Sequence, residues 1–430
     1  MDDIEQTMPP RRRNRAGKSA SISEAMAAIS DHDRVYVSPI CSVPLALVDG
    51  LVQHRDQWSH IDIVTDYLTE PLAPFAHPHE PFELISLQPS RAVETMREAG
   101  ALRTVPASYS QFAHLLGPNG PFSIDVALVH VSPQGPEGRF SLGVGVGAAL
   151  ELVRTASLVI AQVNPQMPYT FGAGELERDE IDLLVDVDHP LLELVVPHPD
   201  ELARTIGGFA AGEIGDGSML QFGIGAVPES ILGALEGRSN LGIHGGMIGD
   251  TVIDLVESGA LNGANNRLHP GKMVVAGVLG TRRSFDWSHR HPDLLTVPSG
   301  YSHGAATLSR VENFVAINSA LAIGLDGSVN AETAGGRVLS GPGGQPDFAL
   351  GASASPSGLS IVAMPSTAAR GTQSRIVTTL PEGATTTLPR YLVDTVVTEY
   401  GVAKLRGLPL EERAAVLQAI AHPDFRAGLR

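Results

Sequence analysis

Two glycine-bearing turns hold the residues of this chain best suited to chemistry. Gly223-Ile224-Gly225 follows Met219-Leu220-Gln221-Phe222, a run suited to a buried strand, and precedes a helix expected from about Val227 to Leu235. A glycine turn between strand and helix lets backbone N–H groups come close to a ligand, with the positive end of the helix aimed at it. Gly245-Gly246 closes a second strand-like run, Asn240 to His244, and leads to a helix near Asp250. Two strand ends tipped with small residues read as walls of one site at the carboxyl edge of a sheet. Taken alone, each pair is an ordinary strand–helix turn as often as a site.

Other stretches add chemistry. Between Asn330 and Ser357, glycines at 335, 336, 341, 343, 344 and 351 surround Gln345, Asp347 and Phe348, a pattern expected of an ordered ligand loop. Arg370 and Arg375 stand among hydroxyl residues in MPSTAARGTQSRIV, a seat for phosphate groups or, equally, two surface ion-pair partners. The alternation Gly143-Val-Gly145-Val-Gly147 lacks dinucleotide-loop spacing and is set aside. The 15 histidines are scattered and show no metal-type cluster with cysteine, so no metal site is expected. Cys41, the single cysteine, is expected to be a packed residue.

Composition narrows the partners. A net charge of −17 repels nucleic acid and anionic membrane, so an anionic ligand needs a local basic patch. One cysteine excludes internal disulfides and fits a cytoplasmic protein. No apolar run reaches the ~18 residues of a membrane span, and the N-terminus lacks a secretory apolar stretch. The basic run from Arg11 to Arg15 is expected to lie in a disordered tail over residues 1–16.

The elements that must position these residues alternate. Arg34–Ser38, His60–Asp66, Asp125–Ser132 and Ser157–Val163 read as strands, with helices over 23–30 and 45–54. Residues 67–95, rich in Pro and His, read as a long loop with short elements. Residues 175–193 carry eight carboxylates against one arginine and read as an exposed connector near the join of two halves. The second half repeats the rhythm, with strands at 220–223, 242–244, 273–279, 314–320, 359–365 and 395–398. A chain of 430 residues with this alternation predicts two α/β domains, 17–195 and 196–430, built on mostly parallel sheets.

Several blocks in one order now resemble the acetyl-CoA hydrolase/transferase family, which includes 4-hydroxybutyrate and butyryl-CoA:acetate CoA-transferases. They are IDVALVHVSP, SLGVGV, QVNPQMPYTFG (162–172), QFGIGAVP (221–228), LGIHGGMIGD (241–250), the 330–353 glycine stretch, MPSTAARGTQSRIV and VVTEYGVAKLRG (396–407) before IAHPDFR. The likeness runs from about Gly17 to Leu429. It implies CoA-transferase-type domains with the active site in a cleft between them and a homodimer. It also implies acyl-CoA as substrate, with a small carboxylate or water as the second one and no permanently bound cofactor. In similar enzymes a glutamate attacks the thioester and passes through an anhydride to a glutamyl-CoA thioester. By that resemblance Gln221 and Gly223 polarise the carbonyl, and Gln221, Phe222, Gly223, Ile224, Gly225, Leu321, Gly344 and Arg370 bind coenzyme A.

Here the chain departs from the family. Its block commonly reads GIHTEM or GIHSEM, whereas this chain has Gly242-Ile243-His244-Gly245-Gly246-Met247, so the nucleophile position is Gly246. Tyr169 stands where an arginine is usual, and Ala173-Gly174 where Asp-Ser is usual. Three outcomes stay open: thioester hydrolysis with water in place of the carboxylate, acyl-CoA binding without catalysis, and transfer through a relocated carboxylate. His244, Glu332 and Asp250 are the candidate substitute bases, each also present in the ordinary family pattern.

Overall fold

The computed structural model describes residues 2–6, 9, 11, 15–72 and 81–429. The chain divides into two units, one of residues 1–194 with 274–302 and one of residues 195–273 with 303–430. The chain changes unit between residues 194 and 195, and the segment 274–302 returns to the first unit.

The first unit carries an eight-stranded sheet. Its strands are β1 (Lys18–Ser19), β2 (Arg34–Val37), β3 (Ile61–Thr65), β4 (Phe82–Ser86), β5 (Leu102–Thr104), β6 (Val126–Val131), β7 (Leu158–Val163) and β8 (Leu183–Asp186). They lie in the order β1-β8-β7-β6-β2-β3-β4-β5, and every pairing is parallel. Central β6 reads VALVHV and is buried throughout, as strands covered on both faces require. Helix α1 (Ile22–Ala27) opens with a capping box between Ser21 and Glu24, and α2 (Leu45–Gln53) buries Leu47, Val48 and Leu51.

Within the Pro- and His-rich stretch, the short elements include Phe82–Ser86, a strand paired with β3 and β5. Two expectations are corrected in this unit. The acidic stretch is not a solvated connector, because it contains β8 and buries Ile181, Leu184 and Val185. Its acids meet arginines: Glu180 takes Arg11 at 3.3 Å and Arg154 at 3.8 Å, and Asp182 takes Arg15. Those same pairs hold described parts of the supposed tail, where Ile4 is fully buried in a short helix, Asp2–Glu5. Arg12, Arg13 and Asn14 lie outside the described residues.

The second unit contributes six strands to a second large sheet, in the order β10-β9-β11-β12-β13-β14, beside shorter strands in small sheets. They are β9 (Met219–Phe222), β10 (Gly242–Ile248), β11 (Phe314–Asn318), β12 (Leu359–Ala363), β13 (Thr395–Thr398) and β14 (Gly401–Lys404). All neighbours are parallel except the last pair, a hairpin at the edge. Helices α3 (Glu201–Gly212), α4 (Ala226–Gly233), α5 (Asp250–Glu257) and α6 (Gln345–Ala354) accompany them. The glycine-rich stretch expected as a loop thus contains a helix of 10 residues. Among the described residues, no helix is long and apolar enough to cross a membrane.

Candidate functional site

Strand β9 is the natural anchor of a site. Its four residues are buried, and it is hydrogen-bonded in parallel on both sides, to β10 and to β11. Gln221 has its backbone in the ladder with β11, opposite Ala316. Its side chain is fixed as well, since Oε1 accepts from Asn318 Nδ2 at 3.2 Å. Asn318 ends β11. The contact uses the acceptor end of the Gln221 amide, Oε1, and not its donor end, Nε2.

The turn after β9 behaves differently from a simple amide cradle. The Gly223 N–H donates to Ile317 O at 3.0 Å and so extends the ladder. A Cβ on Gly223 would sit 3.7 Å from Asn318 Oδ1, an ordinary contact, so the space here does not itself require glycine. Gly225 has φ +134°, which residues with side chains rarely adopt, and it starts α4. Between them Ile224 exposes 47% of its surface, an apolar tip on a polar turn.

Gly245 and Gly246 are not at a strand tip, a correction to the expected boundary. Strand β10 runs through both to Ile248, because glycine takes extended backbone as readily as any residue. A Cβ on Gly245 would lie 3.3 Å from Gln221 Cγ. A Cβ on Gly246 would lie 3.3 Å from His303 Nε2, 3.5 Å from His303 Cε1 and 3.9 Å from Phe348 Cε2. His303 is buried and lies against Phe348, with ring centroids 4.4 Å apart. Position 246, where the resemblance leads one to expect the nucleophile, thus carries no side chain and is bordered by an imidazole that no sequence motif flags.

Gly344 joins the same cluster. It precedes α6, and a Cβ on it would come within 2.6 Å of His303 Cδ2 and of Phe348 Cε2. Its bareness lets the helix start against the imidazole edge. Next to it, Gln345 Nε2 donates to Ser319 O at 3.2 Å, tying the helix start to the residue after Asn318. Leu321 is half-buried, with its N–H donating to Asn330 O at 2.8 Å.

The two arginines part company. Arg375 donates from Nη1 to Ala320 O at 2.7 Å, and burial lowers its pKa, so it is a structural brace. Arg370 is exposed at the turn between two short strands, Thr367–Ala368 and Gln373–Ser374, with φ +57°. Among the candidate bases, His244 is fully buried in β10. Glu332 accepts from Thr387 Oγ1 at 2.7 Å, and burial raises its carboxyl pKa. Asp250 opens α5. A separate cavity of about 660 Å³ has His198, Arg204, Glu229 and Thr251 in its walls and includes none of the expected site residues.

In the first unit, Tyr169 is buried and its hydroxyl donates to Glu175 Oε1 at 2.5 Å. A Cβ on Gly174 would come within 2.5 Å of Val146 Cγ2, so a serine there would collide. Cys41 is a buried thiol. His60, Asp62 and Glu83 have metal-like spacing. Their carboxylates already meet cations, Asp62 pairing with Arg34 and Arg103, and Glu83 with Arg103 at 3.4 Å.

Known proteins give this geometry a family. Residues 5–191 match the model of the acetyl-CoA hydrolase/transferase N-terminal domain, and residues 280–430 that of the C-terminal domain. The chain is 36% identical over 419 residues to a 4-hydroxybutyrate coenzyme A transferase of Clostridium kluyveri, covering 96% of each protein. It is 35% identical to a succinyl-CoA:cyclohexane-1-carboxylate CoA transferase of Geobacter metallireducens, covering 96% of this chain and 94% of that one. RipA from Yersinia pestis superposes with a TM-score of 0.89 at 30% identity, covering 96% of both chains. Two domain models in sequence order and relatives matched almost end to end lead to one assignment: the chain belongs to the acetyl-CoA hydrolase/transferase family.

Proposed function

We propose that this protein binds acyl-CoA and cleaves its thioester by direct attack of water, without a glutamyl-CoA intermediate. The observation that carries the reading is a Gln221 amide kept in place on β9 while position 246 of the neighbouring strand β10, where the resemblance puts the nucleophile, is bare. Gln221 is held by Asn318 at 3.2 Å, whereas Gly246 offers no atom that can attack a carbonyl. The carbonyl oxygen would take a hydrogen bond from Gln221 Nε2, and that bond strengthens as negative charge develops on the oxygen. Gly223, Ile224 and Gly225 would line the entry of the coenzyme, and the exposed Arg370 guanidinium would meet its phosphates. Acyl transfer to a small carboxylate in place of water uses the same polarised carbonyl.

The loss of the carboxylate also favours a second reading, acyl-CoA binding without turnover. Three measurements separate them. Calorimetry is expected to give micromolar affinity for coenzyme A, and its absence would remove both readings. Thiol release from a panel of acyl-CoAs marks hydrolysis, and acetate-dependent release marks transfer. Borohydride reduction followed by mass spectrometry is expected to find no modified carboxylate. The resemblance further implies a homodimer and a cytoplasmic location, and sedimentation in solution tests the first.

A further inference from the structure

We propose that the cleft walled by α3, α4 and α5 is a second ligand site, taking a small organic ampholyte whose carboxylate meets Arg204 and whose ammonium meets Glu229. The cleft measures about 660 Å³, within the span of about 300–1,000 Å³ usual for small-molecule sites. All of its walls belong to the second unit, and none of the residues assigned to coenzyme A lines it. The proposal therefore stands whether or not the chain cleaves acyl-CoA.

What singles the cleft out is a pair of opposite charges that do not meet. Arg204 is exposed on α3, and its Nη1 donates to Pro199 O, a tie that keeps the guanidinium at the rim. Glu229 is half-buried in the first turn of α4. Burial raises its pKa and hydrogen bonding to Thr251 lowers it in part, while the other charges acting on it, Asp250 and Asp254, are both negative. Arg204 is not among them, although both side chains line one cavity. A carboxylate so placed gains most from an ammonium, and a guanidinium with donors to spare gains most from a carboxylate. One molecule carrying both groups satisfies both ends, whereas a simple amine or a simple anion leaves one charge unmatched.

The shape of the cleft agrees. Helices α3 and α4 close on each other at Gly207, where a Cβ would lie 2.6 Å from Ser230 Oγ. Farther along α4, a Cβ on Gly233 would meet nothing within 4 Å. Gly233 and Ala234 thus leave bare wall on which the carbon chain of a ligand can lie between its charged ends. His198, the residue before Pro199, adds an imidazole to the lining.

Ligand-observed NMR on the full-length protein tests this with the ω-amino acids from glycine to ω-aminohexanoate. At least one is expected to bind with a Kd of about 1 mM or tighter, and the amine and the carboxylate of the same length about tenfold more weakly. Arg204→Gln and Glu229→Gln are each expected to weaken the bound member about tenfold or more. Gly233→Leu puts a better helix former where space is open, and is expected to block the cleft without unfolding the chain. No binding by any member of the series overturns the proposal. Binding that survives Gly233→Leu also overturns it, by placing the amino acid elsewhere, as an acyl-accepting carboxylate would be. Amine or carboxylate alone binding as tightly as the amino acid overturns the need for two charges, and with it the ligand class.

Discussion

His303 Nε2 lies 3.3 Å from the point where a Cβ on Gly246 would begin. That separation is close enough that a glutamate at 246 and the imidazole at 303 compete for one space. Gly246→Glu alone is therefore expected to overpack the site and cost about 1–3 kcal/mol of stability. Gly246→Glu combined with His303→Ala removes the conflict. The double variant is expected to recover thermal stability over the single one and to gain acetate-dependent CoA transfer, with a borohydride-trapped adduct on residue 246. Equal melting temperatures for the single and double variants would show that the two side chains do not compete.

The Gln221–Asn318 contact makes a graded prediction. Gln221→Ala removes the donor and is expected to lower kcat by about 100-fold or more, the usual cost of losing one oxyanion partner. Asn318→Ala leaves the donor but frees its orientation, so its effect should be smaller, about tenfold, and fall on kcat rather than KM. Steady-state kinetics on both variants decide this. A loss confined to KM would mean that Gln221 grips the coenzyme and not the reacting carbonyl.

Two arginines in one motif should respond in opposite ways. Arg375→Ala breaks a part-buried bond to Ala320 O and is expected to lower the melting temperature, at about 1.5–3 kcal/mol. Arg370→Ala sits on an exposed turn and should leave melting unchanged while weakening coenzyme A binding about tenfold at low salt. High salt should shrink that difference. Calorimetry with coenzyme A, set beside melting curves, separates the two roles.

Buried acids in the first unit predict a pH-dependent stability. Burial pushes the Asp66 carboxyl up to about 7 from 3.8, and the Glu151 carboxyl up to about 7 from 4.5. Glu151 accepts from Ser299 Oγ at 2.9 Å and from Gly300 N at 3.1 Å, which offsets only part of the burial. Both shifts are upward, so between about pH 4 and pH 7 the folded chain keeps protons that the unfolded chain has released. Stability should therefore be highest below that window, fall as pH rises through it, and level off above it. Each group contributes a slope of about 1.4 kcal/mol per pH unit in mid-window. Urea unfolding at intervals from pH 4 to 8 tests this, and Glu151→Gln should flatten the fall.

The parts of this fold legible in sequence are those where burial alone chooses the residues. Val126–Val131 and Met219–Phe222 are apolar runs closed by turn residues, and both are strands where expected. Helix α6 was illegible because Pro346 and Gly351 interrupt it and its apolar residues show no helical period, yet Phe348 and Ala352 pack it beneath Phe314. Phe82–Ser86 was hidden by its proline-rich approach, although its place between two strands decides its conformation. At the site, the glycines of the first turn and the bare position 246 could be read directly. His303 could not, since 57 residues of chain separate it from Gly246 and only the packing of β10 against the start of α6 brings them together. Asn318 was missed for the same reason, being reached through strand order and not through spacing.

Because Cys41 is the single thiol of the chain and is 1% exposed, a cysteine introduced elsewhere can be addressed chemically with little background. Position 246 is well placed for one. It belongs to a strand rather than a loop, so a probe attached there would inherit a defined direction and would report occupancy of its surroundings instead of wandering. An electrophilic label whose attachment slows when coenzyme A is added would turn the very absence of a side chain at 246 into an optical readout of ligand entry.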